Sequence, residues 1–400
     1  MTAPGARIRV LVVDDSALVR RIVTDNLARC PDIEVVGTAC DPYIAKDKIA
    51  KLKPDVLTLD IEMPKMDGIT FLKLLMRSHP IPVVVMSSLA HDGSRAAIAA
   101  LEAGAVDILG KPDGPWSAFD DNQLSNKIRA AAASRPRIRR ETEGGIITLP
   151  GLAASTVTPA RLGTPLIPGV RAGLARSPIV RSTNVSHRAE TKSAPRSMPL
   201  RSYSANSLIL MGASTGGTEA LKTVLTHLPA GLPGICIVQH IPARFSTAFA
   251  QRLNELCAFA VREAVNGDVV EPGLALVAPG GWHMVLRSKG SHYIVELSDS
   301  PPVHHQRPAV DILFDSAIKG NVNRDSIGVL LTGMGSDGAR GLKHLRDHGL
   351  TTIGQNEETC VVYGMPRAAA EMGAVQHVLP LQDIAHAIID QYAATAVTPR

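Results

Sequence analysis

The sequence predicts an α/β protein with two doubly wound domains, and three observations carry that expectation. Short β-branched runs alternate with amphipathic stretches over residues 7–133, and the same alternation resumes from Ser207. Between them lies a segment whose composition cannot build a core. Strands alternating with helices imply parallel sheets, each with its own core.

In the first series the strand-like runs are Ile8–Val13, Ile33–Thr38, Val56–Asp60, Val83–Met86 and Val106–Leu109. Helical patterns fall between them at Ala17–Arg29, Gly68–Arg77 and Arg95–Ala103. Residues 135–205 then hold eight prolines, six glycines and a single aromatic, Tyr203. A stretch of this kind reads as a disordered linker over 134–205, because a loop that long is improbable inside one domain. The second series, over 206–393, places strands at Leu208–Met211, Ile235–Gln239, Ile327–Leu331, Thr351–Gly354 and Val375–Leu379. Leu274–Ala278, Met284–Arg287 and Tyr293–Leu297, divided by turn residues, read as a small antiparallel meander. Helices are expected at 217–227, 246–257, 309–319, 339–347 and 381–391.

Bulk properties exclude several classes. The formal charge of +5 invites a nucleic-acid reading, but residues 135–205 alone carry a net +9 and leave the rest at −4. The basicity belongs to the linker, so no nucleic-acid partner is expected. No apolar run approaches the ~18 residues of a membrane span, and the N-terminal apolar run ends at Asp14, too short for a signal-peptide core. Membrane insertion is therefore not expected. The five cysteines are odd in number and scattered, which fits buried thiols in a reducing compartment; a cytoplasmic protein is expected.

Chemistry-bearing residues gather at the predicted strand ends. Asp14 and Asp15 follow the first strand, Asp60 ends the third, Ser87 follows the fourth and Lys111 the fifth. In an open parallel sheet these carboxyl ends form the binding crevice. Three carboxylates there repel one another unless a hard cation sits among them, and Mg²⁺ suits oxygen ligands. An Asp beside Mg²⁺ can accept a phosphoryl group, with Lys111 and Ser87 placed to contact its oxygens. Acidic strand ends are common surface features one at a time; the joint pattern is not. Asp14-Asp15, the run Asp60-Ile-Glu-Met-Pro-Lys-Met-Asp-Gly68, Ser87-Ser88 and Lys111-Pro112 resemble the receiver domain of two-component response regulators over residues 7–125. The resemblance implies a flavodoxin-like fold, phosphorylation of Asp60 by a histidine kinase, and Mg²⁺ at Asp14, Asp15 and Asp60. It also gives response roles to Ser87 and Lys111. Receivers usually carry an aromatic three residues before the lysine; here that position is Ile108, a departure at the site of the usual hydroxyl–aromatic coupling.

The second series opens with Gly212-Ala-Ser-Thr-Gly216-Gly217, a G-x-S-x-G turn that would present Ser214 between a strand and a helix. A phosphate-binding P-loop would need Gly-Lys-Ser/Thr, and Thr218 and Glu219 follow instead. A nucleophilic serine needs a base and an orienting acid. His240 ends the next strand on the same sheet edge, and Asp337 lies in Thr332-Gly-Met-Gly-Ser-Asp-Gly338 after a later strand. His344 and His348 are spaced i,i+4, but Leu345 stands where H-E-x-x-H needs Glu, so both read as structural. The Gly333–Gly338 loop also satisfies G-x-G-x-x-G, with Glu357 downstream, so a dinucleotide-binding enzyme is the competing reading. It is disfavoured because that fingerprint normally occupies the first βα turn and because Asp337 would face a pyrophosphate.

Together the Ser214 turn, Gln239-His-Ile-Pro242, the Asp337 loop and Val362-Tyr-Gly-Met-Pro-Arg367 resemble the catalytic domain of the chemotaxis receptor methylesterase (CheB) family over residues 206–393. The resemblance implies a Ser214 nucleophile, a His240 general base and Asp337 as its orienting acid, with Met334 as an active-site methionine; backbone N–H groups near Thr215, at the expected helix start, are placed to stabilise an oxyanion. It implies demethylation of glutamate methyl esters on methyl-accepting chemotaxis receptors, deamidation of receptor glutamines, activation through the receiver, and no cofactor for the esterase step.

Overall fold

The computed structural model describes residues 7–64, 66–88, 91–111, 121–134, 203 and 206–393. The expected linker at 134–205 lies outside the described residues except for Ser134 and Tyr203, as does Pro112.

The N-terminal half alternates strictly: β1 (Ile8–Val13), α1 (Ala17–Leu27), β2 (Ile33–Ala39), α2 (Pro42–Leu52), β3 (Val56–Asp60), α3 (Gly68–Ser78), β4 (Val83–Ser87), α4 (His91–Glu102), β5 (Asp107–Gly110) and α5 (Asp121–Ala133). All pairings are parallel in the order β2-β1-β3-β4-β5. That order reverses between β1 and β3, so a crevice opens where Asp14 and Asp60 leave their strands. The helix starts are locally encoded: Asp41 and Asp67 accept the Ile44 and Thr70 amides at the N-termini of α2 and α3, satisfying donors that the helix leaves free. Strands β1, β3 and β4 are buried on both faces and filled by Val, Leu and Met, as a chain with 3% aromatics requires.

The C-terminal half contains β6 (Leu208–Ala213), α6 (Gly217–Leu225), β7 (Gly234–Gln239), α7 (Phe245–Leu256), β8 (Ala260–Glu263), β9 (Val269–Val270), β10 (Leu274–Val277), β11 (His283–Lys289), β12 (His292–Ser298), α8 (Val310–Lys319), β13 (Ile327–Leu330), α9 (Ala339–Asp347), β14 (Thr351–Gln355), α10 (Met365–Glu371), β15 (His377–Leu379) and α11 (Leu381–Tyr392). Seven strands form a parallel sheet ordered β15-β14-β13-β6-β7-β10-β8, and a second sheet ordered β11-β12-β9 is antiparallel. The strand order reverses at β6 and β13, which places the Ser214 turn and the Asp337 loop side by side.

One expectation needs correction. The small antiparallel sheet exists, but Leu274–Val277 is not part of it: β10 lies between β7 and β8 in the parallel sheet. Its apolar residues are buried on both faces, the pattern of an interior parallel strand and not of a half-exposed ribbon. The third antiparallel strand is the two-residue β9, too short to leave a periodic signal. Strand β8 and helix α10 were also unassigned from sequence; the first is four residues with two exposed, the second seven residues with Pro366 at its start.

Candidate active site

Ser214 occupies the turn between β6 and α6. The turn is tight because Gly216 is left-handed at φ +74°, and a Cβ there would come within 2.5 Å of Val361. The Ser214 amide donates to Thr332 O at 2.9 Å, and its carbonyl accepts from Gly217 N at 2.7 Å and Gln239 Nε2 at 2.9 Å. Backbone and side-chain donors thus fix the turn, and Ser214 lines a cavity of about 560 Å³.

His240 leaves β7 beside it, with its amide donating to Ala213 O at 3.0 Å. Its Nε2 lies 2.8 Å from Asp337 Oδ2, and both side chains are buried. Asp337 also accepts from Val310 N at 2.7 Å and Asp311 N at 3.0 Å, the first two amides of α8. Burial opposes ionisation of this carboxyl, but the His240 bond and the two amides outweigh it and hold it below the usual carboxylate range. A carboxylate acceptor places the proton of a neutral His240 ring on Nε2 and leaves Nδ1 unprotonated. Ser214, His240, Thr215 and Met334 all line the cavity. Gly333 brings the loop before Asp337 against the Ser214 turn: a Cβ there would lie 2.6 Å from Ser214 Cβ. His344 bonds Asp315 at 2.7 Å on the exposed side of α9.

The second cluster lies in the N-terminal crevice. Asp14 and Asp60 are buried and Asp15 is exposed, and the three offer carboxylate oxygens within 4.8 Å of one another. Lys111 Nζ lies 2.9 Å from Asp14 Oδ2 and 2.8 Å from Asp60 Oδ2. Burial pushes the Asp60 carboxyl up to about 6, against the pull of Lys111. Lys111 is itself held above its ordinary value, because its two carboxylate partners outweigh the cost of burial. Among the described residues, Asp14 Oδ2 is buried and makes no well-directed hydrogen bond despite the nearby ammonium. An under-satisfied carboxylate oxygen facing two other carboxylates fits a hard divalent cation. Ser87 is buried at the end of β4, and Ile108 is a buried core residue of β5, paired with Val85 of β4.

A family profile described as CheB methylesterase matches residues 209–388, and one described as response regulator receiver domain matches residues 10–128. A protein of Syntrophus aciditrophicus (strain SB) named protein-glutamate methylesterase/protein-glutamine glutaminase 2 is 48% identical over 385 residues, covering 96% of this chain and 99% of that protein. The chain belongs to the protein-glutamate methylesterase/protein-glutamine glutaminase family. A protein of Ralstonia nicotianae (strain ATCC BAA-1114 / GMI1000), with the same name but no number, is 45% identical over 396 residues and covers 97% of each chain. A crystal structure of the Thermotoga maritima CheB methylesterase catalytic domain is 36% identical, with a TM-score of 0.45, covering 46% of this chain and 97% of that one. The relatives lend no support to the dinucleotide reading of the Gly333–Gly338 loop, and the Asp337 carboxylate within that loop is buried against His240.

In this methylesterase the two halves meet at the turn that carries Ser214, a contact that sequence reasoning missed. Thr215 Oγ1 donates to Asp107 Oδ2 at 2.8 Å. Asp107 begins β5 of the receiver, and its other oxygen accepts from Lys127 Nζ of α5 at 2.6 Å. Residues of α5, including Asn126 and Lys127, line the same cavity as Ser214. Glu102 at the end of α4 pairs with Arg252 of α7 at 2.8 Å. No local signal could have found these partners, since Asp107 and Thr215 are 108 positions apart. Among the described residues no helix is long and apolar enough to cross a membrane.

Proposed function

We propose that this chain hydrolyses γ-glutamyl methyl esters on methyl-accepting chemotaxis receptors, and the amides of certain receptor glutamines, under control of phosphorylation at Asp60. The observation that carries the reading is the buried His240–Asp337 pair sharing one cavity with Ser214. Ser214 Oγ attacks the ester carbonyl while His240 Nδ1 takes its proton; the C–O bond to the methoxy group then breaks, and His240 returns the proton to methanol. Water, deprotonated by the same imidazole, releases the glutamate and restores Ser214. With an amide substrate the leaving group is ammonia. Asp337 stabilises the imidazolium at each stage. The oxyanion would be met by backbone N–H groups at Thr215, ahead of α6, and Met334; such donors are worth about 3–4 kcal/mol each.

In the receiver, Asp14, Asp15 and Asp60 would hold Mg²⁺, which when bound offsets the negative charge on an incoming phosphoryl group. Asp60 is the proposed phosphoacceptor from a histidine kinase, Lys111 would pair with the phosphoryl oxygens and Ser87 would hydrogen-bond one of them. The proposed domain limits are 7–133 for the receiver and 206–393 for the esterase, with 134–205 as linker. The cytoplasm is the proposed compartment, where kinase and receptor tails would both be accessible. The test is methanol release from methylated receptor membranes. Wild-type protein with phosphodonor and Mg²⁺ should release methanol, and folded Ser214→Ala should not. Equal release by both would overturn the assignment.

A further inference from the structure

Catalysis by a serine and a histidine on different loops depends on holding those loops at one separation. Here Ser214 follows β6 and His240 follows β7, two strands in parallel register through Ala213 and Gln239. Beyond the sheet edge the ladder ends, and the side chain of Gln239 continues it. Its Nε2 donates to Ser214 O at 2.9 Å and to His240 O at 3.2 Å. One amide group therefore ties the residue proposed as nucleophile to the residue proposed as base.

The surroundings are built around that amide. Gln239 is buried, and its Oε1 has no hydrogen-bond donor among the described residues. Leaving a buried carbonyl oxygen without a donor is costly, so the amide is not there simply to satisfy its own polar groups. Apolar side chains of similar volume would avoid that cost. Gly217 leaves the space it needs: a Cβ on Gly217 would sit 2.2 Å from Gln239 Oε1 and 2.7 Å from Ala213 Cβ. The second glycine of the Gly216-Gly217 pair is thus explained by the glutamine one strand away. Thr332 supports the same turn from the other side, accepting from Ser214 N through its carbonyl and donating to Thr215 O through its hydroxyl at 3.0 Å.

We propose that Gln239 is a positioning residue for hydrolysis, whose Nε2 clamps the Ser214 turn to the His240 loop and so sets the reach of Nδ1 to the nucleophile. This rests on the esterase reading above. Without the clamp the two loops keep their strands but lose the side-chain tie between their ends. A misplacement on the order of 1 Å at reacting groups costs about 100-fold in rate.

The experiment uses full-length protein, phosphodonor and Mg²⁺, with receptor membranes as substrate. Gln239→Met keeps the volume and removes the donor; Gln239→Glu keeps the shape and faces two carbonyl oxygens with a carboxylate. Each rate is normalised to the folded fraction from a melting curve. Reaction of Ser214 with a fluorophosphonate, which needs the serine–histidine pair but not receptor docking, is measured alongside. Expected are a loss of about 100-fold in kcat, a KM within about twofold of wild type, and a parallel loss in phosphonylation rate. A kcat within about threefold of wild type in either folded variant would overturn the proposal. So would a loss of kcat with normal phosphonylation, or a loss explained by melting alone. Wild-type protein that releases no methanol would instead overturn the esterase reading on which the proposal rests.

Discussion

Replacing Asp107 with Ala should raise the activity of the unphosphorylated enzyme. Asp107 is a receiver residue, yet its carboxylate accepts the hydroxyl of Thr215, next to Ser214. Both side chains are buried, and hydrogen bonds to charged groups are worth about 1.5–3 kcal/mol. At about 1.4 kcal/mol per tenfold, its loss should shift the balance between covered and open active sites by roughly 10- to 150-fold. The Glu102–Arg252 contact makes the contrast. Those side chains are 26% and 39% exposed, so solvent screening leaves at most about 1 kcal/mol, or about fivefold. Asp107→Asn, which keeps an acceptor for Thr215 but not the charge, should fall between Glu102→Gln and Asp107→Ala. Methanol release from receptor membranes without phosphodonor gives the ranking, with the phosphorylated wild-type rate as ceiling. Mg²⁺-dependent phosphorylation of Asp60 in each variant verifies an intact receiver. An unstimulated Asp107→Ala rate within twofold of wild type, in a preparation whose wild type responds to phosphodonor, would refute the reasoning.

Other outcomes follow from the two carboxylate clusters. Asp337→Asn should lower kcat by about 10³–10⁴-fold at neutral pH, because an amide neither fixes the His240 tautomer nor stabilises the imidazolium; steady-state kinetics on receptor substrate measures it. Asp60 has a folded-state pKa of about 6, above its ordinary 3.8, so the folded receiver binds the extra proton and stability falls as pH rises from about 4 to about 6. Asp60→Asn should therefore melt higher than wild type at pH 7.5, and the gap should narrow below pH 6, in thermal scans without metal. Mg²⁺ should raise the wild-type melting temperature and leave that of Asp60→Asn nearly unchanged, as expected for a ligand that needs this carboxylate.

What the sequence made legible were side chains at strand ends. Asp14, Asp60 and Lys111 follow apolar runs whose boundaries are sharp, so the crevice of the first sheet could be placed before any fold was known. Ser214 and His240 were legible for the same reason, being adjacent to consecutive strands. Leu274–Val277 was misplaced because a short apolar run between turn residues suits either sheet, and only burial on both faces decides. Asp107 and Thr215 were invisible because contacts between domains leave no periodic trace in either partner.

Asp337 shows where this limit lies. Its motif marked it as a candidate acid, but not why that acid should be ionised while buried. A buried carboxylate with one imidazole partner would favour its neutral form. Asp337 instead sits at the start of α8 and receives the Val310 and Asp311 amides, donors that every helix of this length presents and that no residue type announces. The segment before α8 turns through Arg307–Pro308, and Ala309 N donates to the buried His283 Nδ1 at 3.1 Å, so the helix start is held by a side chain from β11 in the antiparallel sheet. Burial keeps His283 below its ordinary pKa, in the neutral form that can accept that amide. The carboxylate charge facing His240 thus depends on backbone donors placed by a sheet carrying none of the Ser214, His240 and Asp337 side chains. The chemistry of the site is legible as letters, and its electrostatics only as a fold.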